Sequence, residues 1–108
     1  MSQDNQQSPL SFADYLLSHI AQECAEIIVR ITKAQHFGLD EKEPGQEFTN
    51  RERISQEFCD LVALCEVARD SKILMDFAGS VTEARVEAKK LKAEKFREYS
   101  IELGRLRR

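Results

Sequence analysis

Two stretches of this chain repeat one pattern at an offset of 34 residues, and each copy carries a pair of acids. The first reads Ile20-Ala-Gln-Glu23-Cys-Ala-Glu26-Ile27-Ile28. The second reads Ile54-Ser-Gln-Glu57-Phe-Cys-Asp60-Leu61-Val62. On a helical wheel Glu23 and Glu57 fall about 60° from the Ile20 and Ile54 directions, and Glu26 and Asp60 about 120°. The acids therefore border an apolar stripe in the same register twice. Two helices that pack by those stripes bring four carboxylates to one edge. Such a group repels itself and loses hydration unless a cation sits among it. Hard divalent cations take oxygen ligands, and Mg²⁺ commonly shares them with phosphates.

The surrounding periodicity extends each copy into a long helix. Pro9 and Ser11 open the first, with Ser11 as N-cap and Asp14 in the first turn. Phe12, Leu16, Ile20, Cys24, Ile27, Ile31 and Ala34 give it an apolar face as far as Phe37, and Gly38 is a fitting C-cap. Pro44-Gly45 marks a turn in the following loop. Thr49-Asn-Arg-Glu52 fits a capping box. Ile54, Phe58, Leu61, Cys65 and Ala68 then carry a second helix to about Asp70. A short helical piece is expected over 73–78, ending at Gly79, and a second capping box at 80–83 opens a long charged helix to the C-terminus. The 34-residue offset matches a helical-repeat period, but a third copy would fall near Lys90-Leu-Lys92, where nothing matches.

Composition agrees with helices throughout. The 108 residues include only four Gly and two Pro, with 42% apolar and 32% charged residues. The expected class is an all-α helical bundle: two antiparallel acidic core helices, with a long basic C-terminal helix across them or across a partner. Residues 1–9 form a polar lead, and 10–108 a single helical domain. The core is thin for this length, which predicts self-association. Residues 85–108 hold nine Lys/Arg against four Glu, so the remainder of the chain is strongly acidic. Cys24, Cys59 and Cys65 form no CxxC motif and read as reduced thiols on or beside the helix stripes. No apolar run has the length of a membrane span, and the polar start is unlike a secretion signal, so the expected location is cytoplasmic. There is no phosphate-cradling Gly-rich loop, Ser/His/Asp arrangement or zinc spacing. The basic end Arg105-Leu-Arg107-Arg108 lacks interleaved aromatics, so nucleic acid is not the expected partner.

Gln22-Glu23-Cys-Ala-Glu26 followed by Glu57-Phe-Cys-Asp60 resembles the ExxE…ExxD signature of the MazG-like all-α nucleoside triphosphate pyrophosphohydrolases, relatives of the dimeric dUTPases. Lys33-Ala-Gln-His-Phe37-Gly38 is similar to the segment that ends that family's first core helix. Asn50-Arg-Glu-Arg-Ile54 resembles the lead-in to its second. Lys92-Ala-Glu-Lys95-Phe-Arg-Glu-Tyr99-Ser100 is similar to its C-terminal Lys/Tyr helix. Together these cover about residues 15–105. One position departs: many members open with two adjacent glutamates, and here the first is Gln22.

The resemblance implies Mg²⁺-dependent hydrolysis of a nucleoside or deoxynucleoside triphosphate to monophosphate and pyrophosphate, with Mn²⁺ able to substitute. It implies Glu23, Glu26, Glu57 and Asp60 as metal ligands and catalytic carboxylates, one glutamate instead orienting the water. Lys33, two turns beyond Glu26 on the same face, is placed to reach a phosphate. Lys92, Lys95, Arg97 and Tyr99 would close over the triphosphate, often from a neighbouring subunit of a homodimer or homotetramer. Asn50 either caps its helix or donates to substrate. Phe37 and Phe48 either stack on a base or seal the bundle. His19, one turn before Glu23, is a poor match for hard-ion chemistry, and His36 sits near the C-terminal dipole of its helix. The alternative is a non-catalytic helical module that has kept the fold, to which the loss of the acid at position 22 lends weight.

Overall fold

The computed structural model describes residues 9–77 and 80–108 and is all-α among them. Three helices follow in order: α1 over Phe12–Phe37, α2 over Asn50–Asp70 and α3 over Ser80–Glu102. The chain divides into two compact units between Met75 and Asp76. The first contains α1 and α2, and α3 belongs to the second.

The ends of α1 and α2 lie where local chemistry puts them. Ser11 Oγ accepts from Asp14 N–H at 3.1 Å, and Gly38 N–H donates to Ala34 O. Gly38 has φ 101° and ψ 149°, a region open almost only to glycine. Thr49 and Glu52 form the complete capping box: Glu52 N–H donates to Thr49 Oγ1, and Thr49 N–H donates to Glu52 Oε1.

α1 and α2 form an antiparallel hairpin. Loop residues are folded back on the start of α2, where Asn50 N–H donates to Glu41 O and Arg51 N–H donates to Leu39 O. Glu43 ties the loop to both helices, pairing with Lys33 Nζ at 3.3 Å and Arg53 Nη1 at 2.9 Å. The seam is narrower than the apolar stripes suggest. Leu16, Ile27, Ala34 and Ala68 are buried, whereas Phe12, Cys24, Ile31 and Phe58 of the expected faces are exposed. A two-helix seam covers only the positions pointing directly at the partner helix, so the flanks of each stripe meet no neighbour within this unit.

The expected helix over 73–78 does not form in its described part, 73–77. The chain instead closes α2. Ile73 N–H and Leu74 N–H both donate to Ala68 O, and Lys72 takes the left-handed conformation with φ 63°. Those hydrogen bonds cap the helix just left, and five residues are too few to nucleate another. Ala78 and Gly79, where that helix was to end, lie outside the described residues, as does the Ser80 side chain expected to cap α3. A left-handed non-glycine residue costs about 1–2 kcal/mol. Lys72→Gly is therefore expected to stabilise the protein by about 1 kcal/mol after glycine's unfolded-state entropy is counted, read as a higher melting temperature.

α3 stops before the C-terminus. Gly104, with φ 74°, turns the chain, and Arg105 and Leu106 both donate to Ser100 O. α3 carries Lys92, Lys95, Arg97 and Tyr99, and no helix among the described residues is long and apolar enough to cross a membrane.

Candidate metal centre

The antiparallel hairpin brings Glu23 of α1 against Glu57 and Asp60 of α2. One carboxylate oxygen from each lies within 4.8 Å of the other two. Glu23 and Glu57 are half-buried and Asp60 is exposed. Glu26 is exposed, one turn further along α1, and outside this group of three.

Glu23 carries the strain of the arrangement. Its Oε1 is buried and no hydrogen-bond donor reaches it. The groups around it are other acceptors, so a proton on the Glu23 carboxyl would relieve the crowding. The Glu57 carboxyl beside it, then burial, then the charges of Glu57, Asp60 and Glu26 push the Glu23 carboxyl from its ordinary 4.5 up to about 7. A cation would do the same work as the proton. Three hard oxygens at this separation, one of them an orphaned buried acceptor, suit Mg²⁺ or Mn²⁺.

The pH dependence has a definite sign. A carboxyl whose folded value is raised stabilises the fold below about 4.5 and loses that contribution as pH climbs through about 7. Glu43 and Glu52 shift the other way. Arg53 and then Lys33 hold Glu43 below its usual range, and the Thr49 N–H and hydroxyl do so for Glu52. Their stabilisation is present above about pH 4.5 and is lost only as pH falls further, so their main slope lies below the Glu23 window. In EDTA the melting temperature is thus expected to fall between pH 5 and pH 8. Adding Mn²⁺ should raise it more at pH 8 than at pH 5, because at low pH the ion must displace a proton. Equal Mn²⁺ shifts at both pH values would contradict this.

The other residues singled out from the sequence have definite places. Lys33 and Asn50, with Phe37, Glu41, Glu43 and Pro44, line a concavity of about 210 Å³ at the loop end of the hairpin. Lys33 is paired there with Glu43. Asn50 is 2% exposed, and its Nδ2 donates to Gly38 O at 2.9 Å and to Glu41 Oε1 at 3.0 Å. Thr49 rather than Asn50 is the N-cap. Phe37 and Phe48 are exposed. His19 packs against Tyr15 with ring centroids 4.6 Å apart and planes tilted by 59°, and His36 Nδ1 donates to Thr32 O at 2.8 Å. On α3, Lys92 Nζ lies 5.8 Å from the Phe96 ring centroid, and Lys95 and Tyr99 share a shallow concave face.

One charged neighbour of the acids was not singled out from the sequence. Arg30 Nε stands 4.0 Å from Glu57 Oε1. Its signal was available, since it lies seven residues beyond Glu23 and four beyond Glu26 and so shares their side of α1. No family model matches this sequence, and neither does any curated protein or solved structure.

Proposed function

We propose that the hairpin is the metal-binding half of a nucleoside triphosphate pyrophosphohydrolase centre. The observation that carries the reading is the buried, donorless Oε1 of Glu23 among the carboxylates of Glu57 and Asp60. The resemblance of the acidic signature to MazG-like enzymes supplies the reaction class. Glu23, Glu57 and Asp60 hold the ion. When bound, Mg²⁺ or Mn²⁺ neutralises charge on the phosphate chain as pyrophosphate leaves. Glu26, exposed and outside the group of three, accepts the proton of the attacking water. Lys33 reaches toward phosphate when it exchanges Glu43 for the substrate, and Asn50 holds the loop from which Lys33 is counter-charged. The resemblance assigns Lys92, Lys95 and Tyr99 of α3 to the triphosphate.

The protein works as a homodimer or homotetramer in this reading. Ile28 is 65% exposed and Val62 51%, a poor ending for aliphatic side chains on a hairpin with so small a core. The three free thiols suit a reducing cytoplasm. Gln22, which stands where many of the resembling enzymes carry a further acid, favours a second reading as a nucleotide-binding module without turnover.

The experiment is pyrophosphate release from a panel of NTPs and dNTPs with Mg²⁺ or Mn²⁺, beside Glu57→Gln. Release in the wild type and a loss of roughly 100-fold or more in Glu57→Gln is the expected result. Absence of release from every nucleotide would leave the module reading standing.

A further inference from the structure

Arg30 and Glu57 are both half-buried, with 18% and 20% of their side-chain surfaces accessible. Among the described residues, two buried side-chain polar atoms have no hydrogen-bond partner: Glu23 Oε1 and Arg30 Nε. One is an acceptor without a donor and the other a donor without an acceptor. The carboxylate of Glu57 neighbours both. One of its oxygens lies within 4.8 Å of a Glu23 oxygen, and its Oε1 faces the guanidinium at 4.0 Å.

A guanidinium has no lone pair for a metal and repels one by its charge. Beside a cation centre it therefore lowers affinity for every ion. What it can also do is occupy an edge of a ligand. A carboxylate with one oxygen turned to a guanidinium keeps a single oxygen for the metal. The consequence differs between ions. Ca²⁺ takes about six to eight oxygens and readily accepts both from one carboxylate, whereas Mg²⁺ keeps near-octahedral geometry with about six.

We propose that Arg30 sets the ion preference of the Glu23–Glu57–Asp60 centre, holding Glu57 to one oxygen and so favouring Mg²⁺ and Mn²⁺ over Ca²⁺. The inference rests on the metal-binding reading above. Removing the guanidinium frees the second Glu57 oxygen and removes a like charge. All three ions then bind at least as tightly, and Ca²⁺ gains most.

The test is displacement of Mn²⁺, followed by the electron paramagnetic resonance signal of the free ion, with Mg²⁺ or Ca²⁺ as competitor. It uses the full chain as wild type, Arg30→Met and Arg30→Lys, without nucleotide. Arg30→Met is expected to raise the Ca²⁺:Mg²⁺ affinity ratio about fivefold or more. Arg30→Lys, which keeps the charge and loses the planar fork, should move it in the same direction by less. A ratio within twofold of wild type in Arg30→Met, with all affinities shifted alike, overturns the proposal and leaves Arg30 a plain counter-charge. Should Arg30→Met fail to fold, an unchanged ratio in folded Arg30→Lys overturns it equally. Wild-type protein that takes up no Mn²⁺ sinks the metal-binding reading itself, an outcome distinct from an unchanged ratio.

Discussion

Glu23→Gln is expected to cut metal-dependent turnover and at the same time raise the melting temperature of the EDTA-treated protein at pH 8, where Glu23 is ionised. Few substitutions move the two properties in opposite directions, and here the same atoms demand it. In the wild type Glu23 Oε1 is a buried acceptor facing acceptors, and its carboxyl is pushed up to about 7 by Glu57, burial and the neighbouring charges. A glutamine of the same shape ends that repulsion without needing a proton. Its amide nitrogen donates to Glu57, a hydrogen bond of about 1 kcal/mol net, which in a domain of this size is roughly 4–8 °C. The cost falls on the cation, which loses a charged ligand. Turnover should drop roughly 100-fold or more, and Mn²⁺ should no longer raise the melting temperature. A site kept at the expense of stability is what a functional centre looks like in thermodynamic terms. A lower melting temperature in EDTA would mean that Glu23 has a stabilising partner and would remove the basis for a cation there.

Asn50→Ala should be the most damaging change outside the acids. The side chain is 2% exposed and its amide serves Gly38 O and Glu41 Oε1 together. Truncation leaves both acceptors without that donor and opens a space at the joint where the loop returns to α2. A loss of about 2–3 kcal/mol follows, a large share of the roughly 5–15 kcal/mol that a domain has. The melting temperature should fall by roughly 10 °C or more. Asn50→Asp should be at least as harmful, because it keeps the size, loses the donor and sets a second carboxylate against Glu41. An unchanged melting temperature with a raised KM would instead assign Asn50 to substrate alone.

The contrast between these two residues shows what a sequence discloses. The meeting of Glu23, Glu57 and Asp60 was legible because helix periodicity is local and the matched register lets two paired helices share an edge, whereas Glu26, expected with them, lies outside the group. The capping box of Thr49 and Glu52 was legible for the same reason, being a matter of three residues. Asn50 was not, because its acceptors sit 9 and 12 residues away and depend on the course of the loop. The supposed helix over 73–78 failed on a similar point. Its residues look apolar and periodic, yet the backbone N–H groups of Ile73 and Leu74 are claimed by Ala68 O, through a left-handed Lys72 that no pattern announces. The apolar stripes were read correctly as stripes, but a stripe does not say how wide its neighbour is. Arg30 was passed over because a buried charge reads as a solvated one until its depth is known.

The matched register has one further consequence. Two antiparallel helices with the same acids at the same spacing approximate a local dyad, under which Glu23 and Glu57 exchange places. Arg30 breaks it, since the position 34 residues on is the uncharged Leu64. Glu57 thus has a guanidinium beside it and Glu23 has no such counter-charge at the equivalent position. It is Glu23 whose carboxyl rises to about 7. One side chain stands beside one of two like glutamates and not the other, so the pair differs by broken symmetry rather than by residue type.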